Sequence, residues 1–362
     1  MINLELKKSC SKISLHPFNY AEWSLVSISK VMIVLLSLNV VLLFATKSFE
    51  SIAVIASSLA ACVISDFLHR FVFSGKKIRS MNVSIIQGLL IGLLLPQTYP
   101  CVAVFIVVFL TMLVFTWAFG EYSESWANSV AVCVIILYFL NSSFFPKSAL
   151  SVSELQSRNS ALVLIQNGTV SQIKFDPTIT EFLNRTVFKF FGISIPDGYV
   201  SLFWDNGSLI PAFRFNVLTI LSSLILLSFD FVDMLIPTLF LVVYGILVRF
   251  VSPIIIGGVP MQGDLILAFL TSGILFSTLY LLQWFGTTPT TLWGKLIYGF
   301  TSGVIGFLII GYGVSSSGYV FTVLVMNILS PCIQIIEDKR IFKRIRRRVL
   351  PLVRKVKEYE NA

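Results

Sequence analysis

The sequence predicts an all-α polytopic membrane protein of about ten transmembrane helices, and three observations carry that expectation. Hydrophobic residues fill 56% of the 362 positions and charged residues only 12%, with a mean hydropathy of +0.87. A water-soluble fold of that composition would lack the polar surface to cover itself. Apolar windows of roughly 17–25 residues, enough to cross a hydrocarbon core about 30 Å thick, recur from Leu25 to Ile336. Third, the basic residues gather on one side when the windows are threaded in alternation.

Residues 1–24 are polar, with Lys7, Lys8 and Lys12 and no apolar run ahead of a cleavage site. They are read as a cytoplasmic N-terminal segment, with no cleavable signal peptide expected. A first five-helix half, 25–143, has spans at about 25–46, 51–68, 82–96, 100–120 and 125–143. The third is short. Its fifteen residues, at about 1.5 Å each, reach only about 22 Å, which predicts a half-helix buried in protein or a span extended by its flanks.

A long extracytoplasmic loop, 144–211, follows, in which alternating polar and apolar residues from Ser171 to Asp176 predict a short strand or hairpin. The second five-helix half, 212–337, has spans at about 212–230, 233–250, 263–284, 296–313 and 317–337. Each half crosses an odd number of times, so a structural repeat between them is an inverted one. The third span of each half begins at a polar residue, Asn82 or Asp264, with Gly88 and Gly92, or Gly273, following.

With the amino terminus inside, 19 of the 27 Lys and Arg fall on the cytoplasmic side, as the positive-inside rule requires. Both ends are then cytoplasmic. The basic tail, 338–362, carries ten Lys and Arg between Lys339 and Lys357, interleaved near helical spacing with Ile341, Phe342, Ile345, Val349 and Leu352 and interrupted by Pro351. It predicts a helix lying on anionic lipid of the inner leaflet. Nucleic-acid binding is not expected, because the run abuts a span and brings no base-reading or stacking groups.

The five cysteines are scattered and the two histidines, His16 and His69, lie far apart. Neither a disulfide framework nor a metal site follows. No Ser/His/Asp or Cys/His constellation and no Walker-type loop is present, so no catalytic residue is assigned and stand-alone hydrolase or ATPase chemistry is not expected. Ionisable groups in or beside spans are costly: Asp66, Asp230, Asp233, Arg249, Asp264, Glu121 and Glu124. Most sit at span ends, where they terminate helices. Asp264 follows the glycine-rich run Gly257-Gly258-Val259-Pro260-Met261-Gln262-Gly263, a setting that suits a cation path, with Asn82 as its first-half counterpart.

The run Gly263-Asp264-Leu265-Ile266-Leu267-Ala268-Phe269-Leu270-Thr271-Ser272-Gly273 is followed by Thr287-Thr288-Pro289-Thr290-Thr291-Leu292-Trp293-Gly294-Lys295 and then by Met326-Asn327-Ile328-Leu329-Ser330-Pro331. These three blocks, in this order, resemble the RnfD/NqrB family, which holds membrane subunits of the Rnf electron-transport complex and of the sodium-translocating NADH:quinone reductase. Met81-Asn82-Val83-Ser84-Ile85-Ile86-Gln87-Gly88 resembles the family's first-half counterpart.

The resemblance implies ten helices in two inverted halves, in a bacterial inner (cytoplasmic) membrane. It implies a role in coupling flavin-mediated electron transfer to Na⁺ or H⁺ movement, beside other membrane and peripheral subunits. It also implies FMN joined by a phosphoester to a threonine in a Ser-(Gly or Gln)-Ala-Thr motif of the outer loop, and in related subunits a non-covalent riboflavin.

This sequence departs from that pattern. Val170-Ser171-Gln172-Ile173-Lys174 keeps the motif's first two residues, Ser171 and Gln172, but has Lys174 at the threonine position. A phosphoester needs a hydroxyl, so Lys174 cannot carry it. Thr178, in Asp176-Pro177-Thr178, is the displaced candidate for covalent FMN. Gln283-Trp284-Phe285 replaces an acidic Thr-Asp-Pro element of the family. Two readings stay open: a subunit of an ion-translocating oxidoreductase, or a non-redox ion or solute transporter on the same inverted-repeat scaffold.

Overall fold

The computed structural model describes residues 24–72, 81–119, 127–146, 164–166, 168, 170–192, 194–257, 261, 263–284, 287–311 and 317–360. The amino-terminal segment, the basic stretch after Val72, Glu121, Glu124 and most of the glycine-rich run before Asp264 lie outside them. Among the described residues there is no strand.

The first half is built from α1 (Leu25–Ala45), α2 (Phe49–Val72), α3 (Asn82–Leu94), α4 (Cys101–Phe119) and α5 (Ser129–Leu140). Three short helices follow, α6 (Asp176–Thr186), α7 (Tyr199–Trp204) and α8 (Pro211–Arg214). The second half comprises α9 (Asn216–Ser228), α10 (Leu235–Phe250), α11 (Ser252–Ile256), α12 (Leu265–Thr271), α13 (Ile274–Tyr280), α14 (Leu292–Ile310) and α15 (Gly318–Glu360). Five helices are long and apolar enough to cross a membrane alone: α1, α2, α4, α14 and the Gly318–Arg344 part of α15. Among the described residues four shorter apolar helices, α3, α5, α9 and α10, and the divided eighth span accompany them.

Burial separates lipid-facing helices from enclosed ones. Along α4 only Val104, Val108, Thr111 and Met112 are buried, a single stripe at helical spacing. The opposite face, including Val102, Ile106, Leu110 and Val114, is exposed, as a helix against lipid should be. By contrast, α3 buries eleven of its thirteen residues. At about 1.5 Å per residue it is about 20 Å long, so of the two expectations for the third span, the half-helix enclosed by protein is the one adopted. Its glycines allow this. A Cβ on Gly92 would lie 2.6 Å from the Ile55 Cα, and one on Gly88 2.7 Å from the Leu59 Cα, so α3 meets α2 backbone to backbone. The Ser58 hydroxyl donates across that contact to the Gly88 carbonyl at 2.8 Å.

Packing repeats between the halves. In the first, α2 packs on α4, α1 on α3, α4 on α5 and α3 on α5; in the second, α10 packs on α14, α9 on α13, α14 on α15 and α13 on α15. The halves meet through α1 against α9 and α5 against α15. Polar contacts between the halves are reciprocal: Asn128 Nδ2, at the start of α5, donates to the Leu281 carbonyl just after α13 at 3.1 Å. Tyr319 OH, at the start of α15, reaches the Leu94 carbonyl at the end of α3 at 3.5 Å. The fifth helix of each half thus meets the end of the other half's third span, the exchange expected of an inverted repeat.

Three expectations change. The eighth span is not one helix over 263–284 but two, α12 and α13, divided at Ser272 and Gly273. Gly273 has φ +70°, and a Cβ there would fall 2.3 Å from the Phe213 ring, so no side chain fits at the break. The alternating stretch from Ser171 to Asp176 forms no strand; it is irregular and leads into α6, whose first turn holds Asp176 and Pro177. Proline at the first helical positions needs no N–H partner. The basic tail is not a separate helix, because α15 runs without a break from Gly318 through Pro351 to Glu360.

Candidate functional site

The divided eighth span leaves helix-terminal carbonyls inside the protein, where they need donors. The Leu270 carbonyl receives two, Asn206 Nδ2 at 2.8 Å and Asn216 Nδ2 at 3.0 Å. Asn206 also donates to the Phe213 carbonyl at 2.8 Å, so segments beside α8 and α9 hold the break in place. Irregular backbone at membrane depth, enclosed by protein, is where transport sites are built.

Asp264 caps α12. Its carboxylate accepts from Leu267 N at 2.9 Å and from the Tyr199 hydroxyl of α7. Nearby, Arg249 donates to the Gly263 carbonyl at 2.9 Å. The side chain therefore ties the inter-half loop to the broken span. Asn82 opens α3 in the first half, as Asp264 opens α12 in the second. Further along α3, Gln87 donates to Ser129 of α5 at 2.8 Å, fully inside the protein.

In the loop, Ser171, Gln172, Lys174 and Thr178 are all exposed. Thr178 lies in the first turn of α6, and its neighbour Asp176 is completely buried. The Asp176 carboxylate accepts from Gly198 N at 3.2 Å, Ser201 N at 3.0 Å and the Thr180 hydroxyl at 3.0 Å, and also from the Ser201 hydroxyl. Four donors offset the cost of burying the charge and lock α6 against α7.

A second polar group, missed in the sequence, runs along α15. Asn327, Ser330, Gln334 and Glu337 recur at intervals of three and four, which places them on one helix face. Asn327 is fully buried, and among the described residues neither amide atom has a hydrogen-bond partner. Glu337 is buried and takes the Thr291 hydroxyl. Glycine at 294 makes room for it, since a Cβ would meet the Glu337 carboxylate. Beside it, Lys295 pairs with Asp233, and Gln283 holds the Asp233 backbone, accepting from its N–H at 2.9 Å and donating to its carbonyl at 2.8 Å. The regular spacing along the last span was the available signal, obscured there by the strongly apolar neighbours.

A many-spanning membrane protein with two similarly packed halves, an enclosed half-helix in one and a broken span in the other, is a translocation scaffold in form. The model of the NQR2, RnfD, RnfE family matches residues 12–343, nearly the whole chain, and the chain belongs to that family. The family is associated with ion-translocating electron-transport complexes of several subunits. Comparison with curated proteins returns no match.

Proposed function

We propose that this chain is the membrane subunit of an Rnf-type or NADH:quinone-reductase-type complex that couples flavin-mediated electron transfer to Na⁺ or H⁺ movement. The family match over residues 12–343 is the observation that carries the reading. The recurrent packing of the halves supports it, because such a scaffold can rock about a site near the bilayer midplane. Asp264 and Asn82 are the ion-path residues of this proposal, one in each half, and both termini are cytoplasmic. Redox chemistry belongs to flavins and iron–sulfur centres, several of them on partner subunits. Anionic lipid meets the basic residues of α15 nearest its span.

FMN is covalently attached only if Thr178 accepts it, since Lys174 offers no hydroxyl; a non-covalent riboflavin is the other flavin of the proposal. Ultraviolet fluorescence of the denatured, gel-separated chain tests attachment, with no fluorescent band expected. A band that disappears in Thr178→Ala would locate the flavin instead. Purification of the native complex tests the main reading, which fails if no flavin-containing or iron–sulfur subunit accompanies the chain. The loss of the acceptor threonine favours a second reading, a non-redox transporter. Ion or solute uptake by the chain alone in liposomes, with no electron donor, would decide for it.

A further inference from the structure

Between the α6–α7 pair and the adjacent ends of α9, α12 and α13 lies a half-open cavity of about 590 Å³, a size that holds an extended small ligand. Its walls are hydrocarbon. Ile179 and Leu183 come from α6, Phe203 and Trp204 from α7, Ile220 from α9 and Phe269 from α12. The two hydroxyls on the wall are committed, Thr180 to Asp176 and Tyr199 to Asp264. That leaves the Trp204 indole N–H as the remaining side-chain donor among the lining residues.

This chemistry selects the occupant. A flavin ring presents several carbonyl and ring-nitrogen acceptors along one edge, and burying them without donors is costly. A quinone head has two carbonyls for one donor. A saturated chain needs none, and passing from the bilayer into these walls only exchanges one hydrocarbon contact for another. The surroundings point to the bilayer as its source: the cavity adjoins the exposed α9 residues Leu221 and Leu224, and exposed aromatics Phe182, Phe190 and Trp204 ring the loop helices, as in the aromatic belt of a membrane interface.

We propose that this cavity takes one fatty-acyl chain of a phospholipid from the leaflet on the loop side, entering between α7 and α9. The chain fills the space beneath Tyr199 and wedges the loop helices against the broken eighth span. The proposal does not depend on whether the complex carries flavin, and its test reads lipid directly.

The full chain is reconstituted in phosphatidylethanolamine–phosphatidylglycerol vesicles containing a phospholipid with a photoactivatable diazirine on one acyl chain. After irradiation, adducts are mapped by peptide mass spectrometry. They are expected on Phe203, Ile220 and Phe269 as well as on lipid-facing Leu224. Ile220→Trp fills the cavity, and labelling of Phe203 and Phe269 is lost while Leu224 labelling persists. Should that variant misfold, Leu183→Ala widens the cavity instead, and labelling of Phe269 is retained or increased. Adducts on Leu224 with none in the cavity, loss of Phe269 labelling in Leu183→Ala, or a stoichiometric flavin or quinone that excludes the label would each overturn the proposal.

Discussion

Asn327 stands where stability alone would not favour an amide. A buried amide with both atoms unpartnered forfeits hydrogen bonds it makes elsewhere, whereas an apolar group of similar shape forfeits nothing. Asn327→Leu is therefore expected to raise stability by about 1 kcal/mol, read as a higher midpoint of thermal unfolding in detergent. Ion coupling by the assembled complex is expected to fall in the same variant, because polar groups kept at a stability cost inside a membrane serve a pathway. A loss of stability would show that the amide has partners after all. Asp264 is the converse case. Its place after a glycine-rich run marks it in the sequence, and its carboxylate is fully engaged, capping α12 and receiving Tyr199.

Among the elements, the break between α12 and α13 rests on a single conformation. Gly273→Ala would strain the positive φ and drive a methyl group into the Phe213 ring. The variant is expected to lose about 2–3 kcal/mol, measured by detergent unfolding. Glycine after a polar start was visible beforehand, but a break was not, because α12 and α13 read together as one apolar run.

The turn before α10 offers a test by pH. Partial burial pushes the Asp233 carboxyl up, but the hydrogen bond from Lys295 and the N–H of Leu235 pull it further the other way, to a net value below the usual carboxylate range. A lowered carboxyl contributes stability at pH above its unfolded value, near about 4, and loses it as pH falls through the folded value. The difference in unfolding midpoint between the native chain and Asp233→Asn should be constant from neutral pH down to about 5 and should vanish in stronger acid. A difference that grows on acidification would refute the assignment.

At the level of the whole molecule, the halves are joined by contacts of unequal strength. Asn128 both caps α5, accepting from Val130 N at 3.0 Å, and bridges to the Leu281 carbonyl. Tyr319 OH gives the Leu94 carbonyl one long hydrogen bond, of 3.5 Å. Asn128→Ala is accordingly expected to destabilise by about 2 kcal/mol and Tyr319→Phe by less than about 1, compared in the same unfolding assay. Equal losses would mean that the two sides of the repeat bear the joint alike.

The membrane class and the helical spans were legible in the sequence because both depend on local averages: lipid demands apolar runs of a given length. Family membership was legible too, since ordered blocks such as Met326-Asn327-Ile328-Leu329-Ser330-Pro331 survive as linear patterns. Only the tertiary structure decided which short span is enclosed, where the eighth is broken, that the tail continues the last helix, and which polar groups meet. Those outcomes turn on long-range partners, such as Leu59 under Gly88 or Asn206 at the Leu270 carbonyl. An apolar sequence looks the same to its neighbours in the chain whether lipid or another helix lies against it.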